Sequence, residues 1–406
     1  MRGLQKPERM TRTQAQQPDV SRKPAKDGKL ILIVAGEASA DLHGANLVKA
    51  MKRLDPELQF LGIGGRKMEE AGVHALFSSS EMAVVGLTEI FGRIRTIYRA
   101  AGRLKSILRN LAPDLLILID YPGFNIHLAR TAKRNRVPVL YYITPQVWAW
   151  RRGRTRKMAR RIDRFSVILP FEEDFYRRRG LRVDYVGHPL LDAFPGVLKK
   201  REKGRKLIEK CNQPIIGLVP GSRKEEVEKL LPPMVKAVEM LAREYPHLGC
   251  VLPLAPTLDR KWVQDILDKA PVTVTMIEGN IYEALSLCDL AFVTSGTVTL
   301  EVALLEVPMV VVYKMSGFSF WLASRVVKGP HISLVNLVAE KDVVPELIQK
   351  DAEPRNLVRH ALMILENGPV RKRMVDELSG IRLRLGRGGA SEKTARIALE
   401  MMEAGK

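Results

Sequence analysis

The sequence predicts an α/β protein of two domains, each built around a parallel sheet. Apolar runs without polar alternation, such as residues 30–34 and 115–119, indicate strands that are buried on both faces. Each run stops at a loop of small or polar residues and is followed by a helical segment, as in parallel sheets. The same pattern restarts at Ile215. A chain of 406 residues also suits two domains of similar size.

Composition places the domain boundaries. Residues 1–29 are polar, basic and aperiodic, which predicts a disordered tail. Residues 30–198 form the first predicted domain, and the basic segment 199–206 is the predicted linker. Residues 207–370 form the second domain, and residues 371–406 predict helices that can pack back on the first.

Charge and cysteine content narrow the class of function. A net charge of +21 attracts an anionic partner, which is nucleic acid, a membrane surface or a phosphorylated substrate. Three widely spaced cysteines form neither a disulfide framework nor a metal-type cluster, which fits a reducing cytoplasm. No apolar run reaches the roughly 18 residues that predict a membrane-spanning helix. A nucleic-acid binder would need aromatic residues among its cations or a known binding module. The basic stretch 151–164 has none, so nucleic acid is not an expected partner.

Strand ends of the first domain supply the first candidate site residues. The strand at 115–119 stops at Asp120, and loops at the carboxyl ends of parallel strands line the crevice of open α/β sheets. A carboxylate there is placed for chemistry, with a helix N-cap as the alternative role. The strand at 30–34 also runs into small residues, which let a ligand approach a helix N-terminus. Other strands of this half are predicted at 60–63, 137–143 and 165–171.

Residues 87–111 predict a basic amphipathic helix, because apolar residues recur at helical spacing with arginine and lysine between them. Such a helix can lie on a membrane, with its apolar face in the acyl boundary and its cations toward anionic head groups. A domain helix with its apolar face in the core has the same pattern. The residues expected to enter the membrane are Leu87, Ile90, Phe91, Ile94, Ile97 and Tyr98. The basic stretch 151–164 has two interpretations. It is either a solvated helix face or a surface that contacts phosphate or lipid.

Two loops in the second half suit a nucleotide. After the strand 215–219, the loop 220–223 turns tightly before a helix, and its N–H groups and the Arg223 guanidinium suit a diphosphate. After the strand 290–293, a Ser-Gly-Thr loop opens a helix that carries Glu301 about one turn along. A carboxylate so placed can bind a ribose diol. The other strands predicted here are 250–254 and 272–277.

Several short motifs follow one another in a fixed order between about Lys29 and Met401. They are AGEAS at 35–39, VGL at 85–87, IDYPGFN at 119–125, PQVWAW at 145–150, LPFE at 169–172, GHP at 187–189, PGSR at 220–223, SGT at 295–297, FWLA at 320–323 and NL at 336–337. This series resembles the lipid-A-disaccharide synthase family. Ala40 departs from it, because the family usually has glycine before the aspartate of the first loop.

The resemblance implies a type-B glycosyltransferase architecture, in which two Rossmann-like domains face each other across a cleft. It implies UDP-2,3-diacylglucosamine as donor and 2,3-diacylglucosamine 1-phosphate (lipid X) as acceptor, joined with inversion into a β-1,6-linked disaccharide 1-phosphate. No cofactor and no metal are expected. The expected location is the cytoplasm of a Gram-negative bacterium, peripheral on the anionic inner leaflet, and a homodimer is left open. A UDP-sugar epimerase or hydrolase of the same architecture and a basic nucleic-acid-binding protein are the alternatives.

The resemblance also assigns roles to residues. Asp120 is the expected general base, with Glu37 and His188 as rivals. UDP is expected to contact Gly221, Ser222, Arg223, Ser295, Gly296, Thr297, Glu301 and Asn336. The acceptor and the cleft are expected to involve Gly36, Ser39, Asn125, Gln146, Trp148 and His188.

Overall fold

Two parallel sheets organise the chain in the computed structural model, which describes residues 28–36, 38–82, 90–145, 154–193, 214–279, 281–315 and 331–404. The first sheet consists of β1 (Leu30–Ala35), β2 (Gln59–Gly64), β3 (Val73–Ser78), β4 (Leu115–Ile119), β5 (Val139–Tyr142), β6 (Arg164–Val167) and β7 (Val183–Tyr185). The second consists of β8 (Ile215–Val219), β9 (Gly249–Pro253), β10 (Thr275–Ile277), β11 (Leu290–Thr294), β12 (Met309–Tyr313) and β13 (Glu346–Ile348). This arrangement confirms the predicted pair of α/β domains.

Both sheets reverse their strand order at one point. The orders are β3-β2-β1-β4-β5-β6-β7 and β10-β9-β8-β11-β12-β13. The chain winds outward from β1 and from β8, and then returns to the other side of each strand through β4 and β11. Ligands bind outside the carboxyl ends of strands at such switch points. The loops after β1, β4, β8 and β11 are therefore where a site is expected.

Helices connect the strands of the first half. They are α1 (Ala38–Leu54), α2 (Arg66–Glu70), α3 (Ser79–Met82), α4 (Ile90–Asn110), α5 (Pro122–Arg134), α6 (Arg154–Ala159), α7 (Pro170–Arg177) and α8 (Leu190–Ala193). Side chains of β1 alternate between two cores. Leu32 packs in the core that contains α4 and α5, and Ile33 packs in the core that contains α1. This sheet is thus covered on both faces, which explains its unalternated apolar strands.

The helices of the second half are α9 (Lys224–Leu241), α10 (Arg260–Leu267), α11 (Ile281–Ser286), α12 (Val298–Leu304), α13 (Leu334–Ala339), α14 (Pro354–Glu366), α15 (Gly368–Arg384) and α16 (Ala390–Ala404). Helix α15 belongs to the second core through Met374 and Leu378, whereas α16 packs on α1 in the first domain. Asp192 fixes this return, because its carboxylate accepts hydrogen bonds from the N–H groups of Gly389 (2.5 Å), Ala390 (3.3 Å) and Ser391 (3.3 Å). The end of the chain therefore ties the domains together.

One predicted strand is too long. Residues 165–171 were expected to be extended throughout, but β6 ends at Val167 and α7 begins at Pro170. Proline suits the first helical turn, and the Glu172 carboxylate accepts a hydrogen bond from the Leu169 N–H (3.1 Å). The structure also adds β3, β7, β12 and β13, to which the sequence analysis assigned no strand.

Helix α4 divides the predicted membrane stripe. Its C-terminal half is part of the core, since Ala100, Leu104 and Leu108 are fully buried beside α5. Tyr98 is 75% exposed, and Ile97 is half-buried against the same core. Leu87 lies outside the described residues, as do the side chains of Ile90, Phe91 and Ile94. Within the described ranges, no helix combines the length and apolar character needed to cross a bilayer. The membrane contact stays a prediction.

Candidate functional site

A cavity of about 160 Å³ lies where the carboxyl ends of the two sheets meet. The first domain supplies most of its wall, and the second domain supplies Thr297 and Leu334. Its polar lining includes Ser39, His43, Asp120, Thr144, Glu172 and His188. The structure thus brings together three residues predicted from the sequence, Ser39, Asp120 and His188, with the loop of the second domain that contains Thr297. We call this space the cleft cavity.

Asp120 occupies a strained turn at the end of β4. Its φ angle is 48° and that of Tyr121 is 45°, so two successive residues with side chains adopt the left-handed conformation. Such geometry is uncommon outside glycine, persists only where the surroundings hold it, and clusters at functional sites. Helix α5 starts immediately afterwards, with Pro122 in its first turn.

Hydrogen bonds to the backbone of Asp120 hold this turn. The Asp120 N–H donates to the Ile143 carbonyl (3.2 Å), and its own carbonyl accepts hydrogen bonds from the Asn125 amide (2.7 Å) and the Tyr141 hydroxyl. Asn125 is fully buried and also donates to the Ile119 carbonyl (3.3 Å). Asn125, predicted as a cleft residue, therefore acts on the site through the backbone that carries Asp120.

Gly36 is needed because the ring of Tyr121 crosses directly over it. A Cβ atom at Gly36 would lie 2.6 Å from the Tyr121 ring, closer than real contacts allow. The Tyr121 hydroxyl donates to the Met82 carbonyl (3.1 Å), which fixes the ring beside the first loop. Because Gly36 has no side chain, the Tyr121 ring fits beside it and the turn that contains Asp120 can form. The rival base, Glu37, lies outside the described residues.

His43 and His188 are two buried histidines in the wall of the cleft cavity. Burial lowers the pKa of His43 from 6.5 to about 4, with Asp192 opposing the shift and Lys67 adding to it. Burial also lowers the pKa of His188, to about 3, with a smaller contribution from His43. Both rings are therefore neutral at pH 7. Burial therefore makes His188, a predicted rival base, a weaker base than an ordinary histidine.

Glu172 and Thr144 form a sealed part of the same wall. The Glu172 carboxylate accepts hydrogen bonds from the N–H groups of Ile168 (3.3 Å) and Leu169 (3.1 Å) and from the Thr144 hydroxyl (3.4 Å). This carboxylate is buried and holds the start of α7. Its bonds give it a structural role, so among the described carboxylates that line the cavity Asp120 is the candidate base, while Glu37 stays open.

The loop after β8 is arranged around Glu226. One carboxylate oxygen of Glu226 accepts hydrogen bonds from the N–H groups of Ser222 (3.1 Å) and Arg223 (3.3 Å), and the other from the Arg223 guanidinium (2.9 Å). Gly221 has a φ of 121°, and a Cβ atom there would collide with Glu226. The donors that suit a diphosphate thus bind an internal anion in this structure.

The loop after β11 places Ser295, Gly296 and Thr297 at the start of α12. The Ser295 hydroxyl donates to the Ile332 carbonyl (2.9 Å), which joins this loop to the chain before α13. Glu301 lies one turn along α12, and burial raises the pKa of its carboxyl group. The Tyr282 hydroxyl donates to it (3.3 Å) and opposes that shift. A carboxylate held in this way can accept hydrogen bonds from a ribose diol.

Asn336 is fully buried, and each of its amide groups is used within the domain. Its nitrogen donates to the Val344 carbonyl and the Glu346 carboxylate (both 2.9 Å), and its oxygen accepts from the N–H groups of Val343 (2.8 Å) and Val344 (3.0 Å). These bonds join α13 to β13. They give Asn336 a structural role within the domain, and its predicted contact with UDP stays a prediction.

Sequence patterns did not single out His43, Glu226 or Tyr282. His43 stands alone in a helix, Glu226 looks like an ordinary residue of a first helical turn, and Tyr282 lies in a short helix away from any motif. Only the DLH sequence directly after the first loop could have drawn attention to His43. Gln146 and Trp148, predicted as cleft residues, lie outside the described residues.

Comparison with known proteins agrees with this arrangement. A family model described as "Lipid-A-disaccharide synthetase" matches residues 31–400. The lipid-A-disaccharide synthase of Syntrophus aciditrophicus (strain SB) is 47% identical over 378 residues, covering 93% of this chain and 99% of that protein. A match of this extent reaches nearly every element described above.

Solved structures resemble the fold at low sequence identity. A UDP-GlcNAc 2-epimerase from Neisseria meningitidis, bound to UDP-GlcNAc, is similar with a TM-score of 0.61 at 16% identity, over 92% of this chain and 100% of that one. MurG of Acinetobacter baumannii is similar with a TM-score of 0.54 at 16% identity, over 92% and 99% of the two chains. These likenesses confirm the predicted type-B architecture. At such low sequence identity they show the fold and nothing about function.

The two neutral histidines predict a loss of stability in mild acid. The unfolded chain protonates a histidine near pH 6.5, whereas folded His188 stays neutral down to about pH 3. The free energy of unfolding therefore falls as the pH drops below 6.5, and His188 accounts for about 2 kcal/mol between pH 7.5 and 5. His188→Asn should remove about that part of the loss, measured by urea unfolding at both pH values. The exposed His247→Asn is the control, and equal losses in all proteins would contradict the prediction.

Proposed function

The chain belongs to the lipid-A-disaccharide synthetase family, and on that premise we propose the reaction it performs and the residues that perform it. It is a glycosyltransferase that joins UDP-2,3-diacylglucosamine to 2,3-diacylglucosamine 1-phosphate, giving the β-1,6-linked disaccharide 1-phosphate and UDP. The observation that carries the site assignment is the cleft cavity, since Asp120 of the first domain and Thr297 of the second line one space.

Inversion requires a single in-line displacement at the anomeric carbon of the donor. The acceptor 6-hydroxyl attacks from one side while UDP leaves from the other, so base and nucleotide must lie on opposite walls. Asp120 is the proposed base, because it is the carboxylate of the cavity whose backbone is held in a strained turn toward the cleft. It takes the proton of the 6-hydroxyl as the new bond forms.

UDP is proposed to bind the two loops of the second domain. Arg223 and the N–H groups of the loop after β8 would receive the diphosphate, which replaces the Glu226 carboxylate as their anionic partner. The attraction of Arg223 grows as negative charge develops on the leaving group, so it stabilises the transition state more than the ground state. Glu301 would accept the ribose hydroxyls.

We also propose that the enzyme works at the surface of the cytoplasmic membrane. Both substrates carry acyl chains, and the net charge of +21 favours an anionic leaflet. Tyr98 on α4 offers an exposed aromatic ring among cationic residues. The membrane contact and a homodimer are both proposals for this chain.

The reaction itself is tested with the two purified acylated sugars. Disaccharide and UDP should form in equal amounts, and UDP release should require the acylated acceptor. UDP release without acceptor would instead identify a hydrolase, and conversion of the donor sugar to its epimer would identify an epimerase.

Asp120→Asn tests the base. Because general-base assistance contributes about 10²- to 10⁴-fold, kcat should fall by that factor while the dissociation constant of UDP stays unchanged. Turnover measured with saturating substrates and UDP titration by calorimetry give both quantities. Asp114→Asn is the matched control, since Asp114 precedes β4 and binds the Leu30 N–H (2.8 Å) at the opposite edge of the sheet. Near-normal turnover of Asp120→Asn together with an inactive Glu37→Gln would assign the base to Glu37.

Arg223→Ala and Glu301→Gln test the nucleotide site. Loss of a charge-assisted hydrogen bond should weaken UDP binding roughly 10- to 100-fold in each variant. Arg223→Ala should also lower kcat, whereas Glu301→Gln should raise the KM of the donor more than that of the acceptor. Arg243→Ala, an exposed arginine of the same domain, is the control. If UDP affinity and turnover of Arg223→Ala match those of the wild type, Arg223 does not belong to the site.

Tyr98→Ser tests the membrane contact. If the ring enters the acyl boundary, its loss should weaken binding to vesicles of anionic phospholipid by roughly tenfold or more. Leu383→Ser removes an equally exposed apolar side chain from α15 and should bind as the wild type does. Sedimentation with vesicles measures both. Equal binding of all three proteins would mean that α4 does not meet the membrane through Tyr98.

A further inference from the structure

Two side chains of the cleft cavity, His43 and His188, have no role in the proposed mechanism. His43 and His188 both line the cavity that contains Asp120. No hydrogen bond joins Nε2 of either ring to another residue in the described ranges, and neither Nε2 is among the fully enclosed atoms that lack a partner there. On His43, Nδ1 is enclosed and has no partner within those ranges. Polar groups of buried side chains are normally hydrogen-bonded, so the Nε2 atom of each ring is available to a ligand that enters the cavity.

The protonation of His188 can be assigned from its surroundings. Its Nδ1 accepts a hydrogen bond from the Leu190 N–H (3.2 Å) and therefore carries no proton. In a neutral ring the proton then lies on Nε2, which is a hydrogen-bond donor. His43 is neutral as well, and in either tautomer it can bond to a group that both donates and accepts. The pair thus suits a hydroxyl group, and it offers no positive charge to a phosphate.

The chemistry of the acceptor limits which hydroxyl this is. In 2,3-diacylglucosamine 1-phosphate, carbon 1 carries the phosphate, and the groups on carbons 2 and 3 carry the acyl chains. Carbon 5 is closed into the ring through its oxygen. The only free hydroxyls on the sugar itself are therefore those on carbons 4 and 6, and the 6-hydroxyl is the proposed nucleophile that Asp120 deprotonates. These two hydroxyls are neighbours on the sugar.

We propose that His43 and His188 bind the 4-hydroxyl of the acceptor and so direct its 6-hydroxyl to Asp120. This inference rests on the proposed function. It makes the two histidines positioning residues that determine which hydroxyl reacts. The 4-hydroxyl is engaged by neutral partners and stays protonated, while the 6-hydroxyl alone meets the carboxylate.

Neutral rings serve this purpose better than charged ones. An imidazolium ion beside Asp120 would stabilise its carboxylate and make it a weaker base. Burial prevents that charge at the pH of the cytoplasm, since the pKa of both rings lies far below 7. The acceptor is thereby oriented without loss of basicity at Asp120.

Three variants separate this role from a structural one. His188→Asn keeps an acceptor at the position of Nδ1, and with it the bond to Leu190, but removes the Nε2 donor. His43→Leu removes the polar edge of the ring, and His43→Gln places an amide where Nε2 was. We expect His188→Asn and His43→Leu to raise the acceptor KM roughly 5- to 10-fold, with UDP affinity unchanged, and His43→Gln to restore most of the loss.

A 4-deoxy acceptor gives the decisive comparison. With wild-type enzyme in mixed micelles, the 4-deoxy analogue of the acceptor should lose at least the factor in kcat/KM that His188→Asn loses with the intact acceptor, because the analogue gives up the contacts with both histidines. Combining the variant with the analogue should cause little further loss, because the analogue already lacks the hydroxyl that His188 would bind. A 4-deoxy donor, used with intact acceptor, should lose equally in variant and wild type.

Two results would overturn the inference. Losses that multiply would show that His188 and the 4-hydroxyl act independently, as would an unchanged acceptor KM in a folded His188→Asn protein. A coupling with the 4-deoxy donor in place of the acceptor would assign the histidines to the other sugar. Failure of the wild type to form any disaccharide would count against the proposed function itself, and so remains distinguishable.

Discussion

The left-handed turn at Asp120 and Tyr121 is the constraint on which the site depends. Two successive residues with side chains adopt positive φ angles there, and such a conformation is stable only when its surroundings enforce it. Asn125 and Tyr141 bind the carbonyl of Asp120, and the missing side chain of Gly36 makes room for the Tyr121 ring. Residues that look like parts of separate motifs are therefore parts of one support. Its effect is to place a carboxylate beyond the carboxyl end of β4.

The distribution of charge in the cleft follows from burial. Burial keeps both histidines of the cavity neutral by lowering their pKa, and for His43 it outweighs the opposing effect of the Asp192 carboxylate. In the second domain, Glu226 neutralises Arg223 and the loop N–H groups around it.

Function also depends on how the two domains are joined. Neither sheet alone forms the cleft cavity, since Asp120 and Thr297 come from facing edges. The chain closes this arrangement by returning to the first domain, where α16 packs on α1 and Asp192 binds the start of α16. The His188 N–H also donates to the Leu385 carbonyl (3.1 Å), directly before the return. A residue of the cavity is thus bonded to the segment that links the domains.

The sequence by itself determined the architecture and the edge of each sheet at which a site is expected. Unalternated apolar strands such as Leu115–Ile119 can only be satisfied with helices on both faces, and polar loops directly after them must lie at one edge of the sheet. This was enough to propose Asp120 and the loops around Arg223 and Ser295 as parts of the site. Each of these residues directly follows a buried strand, so the local sequence is enough to place it at the carboxyl edge of the sheet.

Tertiary structure decided the roles that depend on partners distant in sequence. Leu104 and Leu108 share a helical stripe with Tyr98, yet they are core because α5 covers them, and Tyr98 is exposed. Asn336 is engaged by residues of the β13 segment, which no local pattern reveals. The neutrality of His43 arises only when folding excludes water from the cleft. Burial and long-range hydrogen bonds exist only in the packed chain. They distinguish a residue that can contact a ligand from a residue that holds the fold in place.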